Sequence, residues 1–180
     1  VFLIFAFILL GVVAIFLIAN LVAPESELMN TFKTVKGFKV MMGSLVLISL
    51  LLIGANTIVV HNEQWRESAI IQVENESGEL ELFVGNKEEA ALAYKENPSA
   101  GEPYQTELLL WGTYEHVTMK ITYKEDETVG YQTEPMSIKE TFNSEAYIKP
   151  IELTFEKEGI WRVEVLNNEE TLGNIVLKVE

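Results

Sequence analysis

The side chains able to do chemistry are few in this chain and lie far apart. Its 180 residues include two histidines, His61 and His116, a single aspartate, Asp126, and no cysteine. A nucleophilic triad needs a Ser or Cys beside a His that an acid orients. His61 closes an apolar run, His116 precedes an alternating segment, and no Gly-x-Ser-x-Gly elbow brings a serine to either. Without cysteine, none of these residues can act as a thiol nucleophile, a thiolate metal ligand or a lipidated anchor. His116 adjoins Glu115, but no His-x-x-x-His, Cys-x-x-Cys or EF-hand spacing accompanies the pair. Calcium loops favour Asp, so Glu125-Asp126-Glu127 reads as a solvated turn and at best a weak cation site. Glutamate is abundant enough for a paired-carboxylate glycosidase, yet nothing singles out a pair. Phosphate-cradling glycine loops are absent. The expectation is a non-enzyme with no catalytic, cofactor-binding or metal-binding residues and no cofactor.

The elements that would hold any site begin with two apolar runs. Residues 1–22 and 40–60 contain no Pro, Asp, Glu, Lys or Arg. A helix gains about 1.5 Å per residue, so about 20 apolar residues cross a hydrocarbon core of about 30 Å. In lipid the backbone must satisfy itself, which makes each run a helix. The alternative, buried core helices of a soluble protein, would leave too little chain to cover them. The first run exceeds a signal-peptide h-region in length, and the second is too far along the chain to be a cleaved signal. The chain opens inside the first run without Met, as expected of a piece with residues, and room for further spans, before Val1. Ionisable residues within a span would mark a transport path. Here the notable polar residues are Asn20, Ser44, Ser49 and Asn56, expected to pack or to bond between helices. Lys33, Lys36 and Lys39 lie between the runs, and short Lys-rich loops stay inside. Residues 23–39 are therefore expected to be a cytoplasmic loop, with both flanks outside. Residues 61–68 form a linker, in which Trp65 is either an interfacial aromatic or the first core residue of the next domain.

Charge divides the chain at the same place. The net charge is −14. Residues 1–60 carry three Lys and two Glu and stand at +1, so residues 61–180, with ten basic and 25 acidic side chains, stand at −15. Such a domain repels nucleic acid and anionic lipid head groups. The acidity serves solubility outside the cell, or presents an acidic face to a cationic partner. About 120 residues suffice for an independent core without disulfides.

After Trp65 the period changes from helical to alternating. Ala69, Ile71 and Val73 alternate with Ile70, Gln72 and Glu74, and Leu80, Leu82 and Val84 with Glu79, Glu81 and Phe83; residues 75–78 form the turn of this hairpin. Residues 87–96 are rich in helix formers and predict a short helix or turn, ended by Asn97-Pro98. Residues 104–112 and 117–123 read as strands. Residues 131–142 are ambiguous, Pro135 arguing for an edge or a break. Ile151, Leu153 and Phe155, then Trp161, Val163 and Val165, then Ile175, Leu177 and Val179 mark the inward positions of three last strands. About seven strands with frequent turns predict an all-β antiparallel sandwich of immunoglobulin-like type over residues 69–180, with a small barrel as the alternative.

Leu153-Thr-Phe-Glu-Lys-Glu-Gly159-Ile-Trp161-Arg162-Val-Glu-Val165, followed by Leu172-Gly173-Asn174-Ile175-Val176-Leu177-Lys178-Val179, resembles the last strands of extracytoplasmic immunoglobulin-like domains in Bacillus-type Gram-positive bacteria. Those domains end in a Gly-x-Trp-Arg strand, a polar turn and a Gly-x-Ile-Val-x-Val strand. Leu110-Trp111-Gly112 resembles the Phe-Trp-Gly strand end of one uncharacterised family of that kind. The resemblance covers residues 104–180. It implies a fold and a location outside the cytoplasm but no activity. Its members are commonly lipid-anchored through Cys, whereas this chain has apolar spans. On the residues themselves, Gly159 permits a tight turn, Trp161 fills the core, and Arg162 on the opposite face snorkels or pairs with an acid.

Together these readings predict a two-helix transmembrane hairpin followed by a β-sandwich. The expected function is a membrane-anchored, non-catalytic extracytoplasmic binding module of the cell envelope. Its expected partners are membrane lipids and an envelope or membrane protein, not nucleic acid. The alternatives are a sensory or accessory subunit of a larger membrane complex, and an envelope hydrolase.

Overall fold

The computed structural model of the chain describes residues 2–25, 32 and 34–180. They form two compact units, residues 1–64 and 65–180.

In the first unit, helix α1 spans Phe2–Val22 and helix α2 spans Val35–Gln64, both long and apolar enough to cross a membrane. Pro24 follows the end of α1, where its ring disfavours further helix. Thr34 caps α2, its Oγ1 accepting the Gly37 amide at 3.0 Å. The helix therefore starts five residues before the expected span and takes Lys36 and Lys39 out of the predicted loop. Lys33, the third lysine of that argument, lies outside the described residues. At the other end His61, Asn62, Glu63 and Gln64, expected as linker, continue the helix because no breaker intervenes. At about 1.5 Å per residue, the 30 residues of α2 exceed what the hydrocarbon core requires.

Val13, Phe38 and Met42 form the buried seam between the helices, with Phe32 set edge-on to Phe16 and Phe38 at 5.6 and 5.2 Å. Ala6 and Ser49 are also fully buried, small residues that allow close approach. Of the two expected roles, packing and bonding between helices, Ser49 takes the first, and the hydroxyls of both serines donate within their own helix. Ser44 Oγ donates to the Val40 carbonyl and Ser49 Oγ to that of Leu45, each one turn back in its own helix. Asn20 is exposed and Asn56 half-buried. Most apolar side chains of both helices face outward, uncovered by the chain itself.

The second unit is antiparallel throughout. Its strands are β1 (Ile70–Glu74), β2 (Leu80–Gly85), β3 (Ala90–Ala93), β4 (Pro103–Trp111), β5 (Thr118–Tyr123), β6 (Gly130–Gln132), β7 (Glu140–Thr141), β8 (Ala146–Thr154), β9 (Gly159–Asn167) and β10 (Glu170–Val179). Six make one sheet in the order β1-β2-β3-β4-β8-β7, and four make another in the order β10-β9-β5-β6. Between them lies one core, which the large sheet enters through Val84, Leu92, Leu108 and Leu153 and the small sheet through Met119, Trp161, Val165 and Ile175. The alternation that predicted the last three strands places every expected inward residue there.

Residues 87–96 fold as a turn followed by β3, not as a helix. Ala91 and Leu92 pair with Leu109 and Leu108 of β4, and Ala90–Ala93 are buried on both sides. Burial between two strands outweighs a helix propensity worth tenths of a kcal/mol per residue (roughly 0–0.7). Small alanines also suit the position, because Gly173 of β10 lies directly over β3. A Cβ at Gly173 would come within 2.9 Å of Ala90 Cβ and N. Gly173→Ala is expected to force β10 off β3 and lower the melting temperature, at a cost of about 1–3 kcal/mol. A melt coincident with that of the parent protein would contradict this contact.

Residues 131–142 resolve into two short strands, β6 and β7, joined by a crossing from one sheet to the other that contains Pro135. Where this crossing leaves β6, the Thr154 amide donates to the Tyr131 hydroxyl at 3.0 Å and ties β6 to the end of β8.

The large sheet also has a core on its outer face, built from Val73, Phe83, Ala91, Leu109, Ile148 and Phe142 with neighbouring alanines. The sheet curls to close it. Phe142, beside the end strand β7, packs edge-on against Phe83 of β2 at 5.3 Å. The Glu76 amide donates to the Phe142 carbonyl at 3.1 Å, and Asn143 Nδ2 to the Glu74 carbonyl at 2.9 Å. These contacts join the two ends of the sheet.

Candidate functional site

His116 and Glu115 lie in the loop between β4 and β5, both exposed. They border a hollow of about 320 Å³ with Tyr114, Ser137 and Lys139. A base, an acid and a lysine around an open hollow can hydrogen-bond a small polar molecule, but no three metal-ligating groups converge among the described residues. His61 sits in the last turn of α2, far along the sequence from His116.

Asp126 is committed to its own turn. Its Oδ1 accepts the Thr128 hydroxyl at 2.6 Å and the Thr128 amide at 3.1 Å. These bonds hold its carboxyl below the ordinary aspartate range, with a smaller contribution from Lys157. A depressed folded-state value stabilises the turn above the unfolded-state value, and that contribution is lost as pH falls through the folded one. Thr128→Val is expected to raise the Asp126 titration midpoint, read by carboxyl NMR; an unchanged midpoint would refute the role of the hydroxyl.

Trp161 occupies the main core as expected, its Nε1 donating to the Lys157 carbonyl at 2.8 Å. Gly159, at φ 126°, makes the approach to it possible: a Cβ there would lie 3.0 Å from the Tyr123 ring. Among the described residues Arg162 pairs with no acid within 4.0 Å. Its guanidinium stacks on Trp65 at 4.5 Å from the ring centroid. Trp65 is thus buried, as one of its two readings held, but on the outer face of the small sheet rather than in the main core. Ser68 secures the same segment, its amide donating to the Val176 carbonyl and its hydroxyl accepting the Val176 amide, at 2.9 and 3.0 Å. The predicted linker is therefore part of the second unit from Trp65 onward.

One surface feature went unnoticed in the sequence. The alternation puts Ile70, Leu80 and Leu82 on the same sheet face as buried Val84, yet they are 52%, 63% and 45% exposed. The signal was available as acidity: residues 69–85 hold four Glu, at 74, 76, 79 and 81, and neither Lys nor Arg. With Tyr131, these three are the exposed large hydrophobics of the second unit among the described residues.

No protein-family model matches the chain, and no curated protein does. Solved structures give distant likenesses. A Bacillus anthracis protein described as a candidate lipoprotein aligns at a TM-score of 0.47 and 14% identity, over 64% of this chain and 86% of that one. An immunoglobulin-like protein from Pseudomonas aeruginosa aligns at 0.28 and 15%, over 63% and 94%. An alkylpurine DNA glycosylase from Pseudomonas fluorescens, bound to DNA containing an abasic-site analogue, aligns at 0.31 and 16%, over 51% of this chain and 30% of that one. The architecture rests on the strand pairings themselves: two N-terminal apolar helices followed by antiparallel all-β sheets.

Proposed function

We propose that the chain is a membrane-anchored binding module of the cell envelope, non-catalytic, with an immunoglobulin-like β-sandwich displayed outside the cytoplasm of a Gram-positive bacterium. One observation carries this reading. Two helices of membrane-spanning length leave their apolar surfaces uncovered, and an acidic all-β unit follows at once. Lipid is the solvent that removes the cost of that exposure. The positive-inside argument puts the Lys33–Lys36–Lys39 side in the cytoplasm and the β unit outside. Loops and sheet edges then do the recognising.

Orientation is tested by labelling. A cysteine at Thr34→Cys should resist a membrane-impermeant thiol reagent in intact cells, and one at Asn168→Cys should react; the reverse pattern overturns the orientation. Function is tested by photo-crosslinkers placed over the exposed surface of the β unit in the full-length chain in its native membrane. Reproducible capture of one protein supports a binding module.

A second reading, an accessory subunit whose helices dock onto a larger complex, is favoured by Gly11, Gly43 and Gly54, where an added Cβ would meet open space. Such notches admit a neighbouring helix. Capture through the helices and never through the β unit would select it. Turnover of wall or peptide substrates dependent on particular Glu residues would select a hydrolase instead.

A further inference from the structure

The β1–β2 hairpin combines an open strand edge, uncovered apolar side chains and unneutralised acid. The apolar exposure follows from the unequal widths of the sheets. The large sheet has six strands and the small one four, and β10, at the small sheet's edge, packs over β3 and β2. Val84 and Leu92 are buried beneath that cover, while Ile70, Leu80 and Leu82 lie past it. Their positions in the register, Ile70 opposite Val84 and Gln72 opposite Leu82, make the three a continuous strip.

The edge is open because β1 ends the sheet. The Gly85 amide bonds to the Ala69 carbonyl and the Asn75 amide to that of Glu79. Antiparallel alternation then points the backbone of residues 69, 71, 73 and 75 at β2 and that of Ile70, Gln72 and Glu74 away. Asn143 takes up the Glu74 carbonyl, which leaves Ile70 and Gln72 facing outward. Exposed edges are ordinarily guarded by lysine, proline or a bulge. The stretch of β8 beyond β7 has such guards in Lys149 and Pro150. The sequence Ile-Ile-Gln-Val-Glu of β1 has none, and its register with β2 runs without a bulge.

Charge selects the occupant. Glu74 lies opposite Leu80 on the strip's own face, Glu76 and Glu79 stand in and beside the turn at its end, Glu81 faces the other side of the hairpin, where Asn75 Nδ2 donates to it, and the ion pair within 4.0 Å among the described residues, Lys178–Glu180, is elsewhere. Anionic lipid and a second copy of this acidic hairpin would both be repelled. We propose that the open edge of β1, with the strip of Ile70, Leu80 and Leu82 beside it, accepts an extended polypeptide segment in which lysine or arginine accompanies apolar side chains. The segment adds a strand to the large sheet: backbone bonds to Ile70 and Gln72 align it, apolar side chains cover the strip, and its cations meet the glutamates. This proposal rests on the binding-module reading and names its surface and partner class.

The test uses the full-length chain in zwitterionic lipid nanodiscs and two synthetic peptides, one alternating Val with Lys and one alternating Val with Glu. The Val/Lys peptide is expected to bind, more weakly as salt rises, and the Val/Glu peptide not to bind. Leu80→Ser combined with Leu82→Ser should weaken binding about tenfold, as expected when buried apolar contact is lost. Gln72→Pro removes an outward-facing amide without touching the β1–β2 ladder, and should weaken binding comparably while leaving the thermal melt in place. Failure of the Val/Lys peptide to bind, or equal binding by parent and both variants, overturns the proposal. So does quenching of a fluorophore at Leu80→Cys by quenchers carried in the nanodisc lipid, which would give the strip to the membrane surface. The broader reading fails separately, if crosslinkers across the whole β unit capture no protein in the native membrane. Capture through other loops, with β1 silent, would retain the module and discard this edge.

Discussion

Trp161→Ala is expected to destabilise the β unit by about 3–5 kcal/mol, enough to unfold much of it near physiological temperature if its stability is ordinary for its size. Trp161 is 1% exposed, and its ring packs against Tyr123 at 5.0 Å and Phe155 at 5.5 Å. Removing it opens a cavity between the sheets and strands the Lys157 carbonyl, which now accepts the indole N–H. Urea unfolding of the full-length chain in detergent, followed by far-UV β signal, measures the loss. Trp161→Phe should recover part of it by refilling the cavity while still lacking the donor. An Ala variant with the parent's midpoint would mean that this core does not carry the fold.

Phe83→Ala should cost a similar amount, about 3–5 kcal/mol, through the core on the other face of the large sheet. Phe83 is fully buried there, and its partner Phe142 comes from the far end of the same sheet. Losing the ring should therefore loosen the closure as well. Hydrogen exchange at the Glu76 amide, which bonds to the Phe142 carbonyl, should accelerate. In a double-mutant cycle with Phe142→Ala, the summed single costs should exceed the double cost by about 0.5–1.5 kcal/mol, the coupling of an aromatic pair. Additive costs and unchanged exchange would show that the sheet does not depend on this contact to close.

The parts that the sequence made legible are those ruled by local period. Alternation in β9 and β10 named the inward residues, Trp161, Val165 and Ile175 among them, because one face of each strand meets a core and the other water. The Asn75–Gly78 turn was equally readable: Asn75 Oδ1 accepts the Ser77 and Glu79 amides, chemistry local to residues 75–79. Where burial is two-sided the period vanishes. Residues 90–93, Ala-Ala-Leu-Ala, look helical by propensity and become a central strand, buried before and behind. Helix bounds also shifted. Hydropathy locates an apolar run, whereas the Thr34 cap and the lack of a breaker before Gln64 locate the helix.

The candidate site was the least legible part. Leu80 and Leu82 follow the same alternation as Val84, and nothing local separates an inward residue that is covered from one that is not. The separation depends on how far β10 reaches across the large sheet. Likewise Arg162, expected to snorkel or to pair with an acid, stacks on Trp65, almost a hundred residues earlier in the chain.

By itself the sequence determined two apolar helices, an acidic all-β unit after them, and the absence of thiol chemistry from these residues, because composition and short periods act through solvent and need no distant partner. Tertiary structure alone decided the second core around Phe83, the seating of Trp65 on Arg162, and the uncovered edge at β1. Each depends on strands distant in sequence meeting in space, and on the arithmetic of six strands facing four.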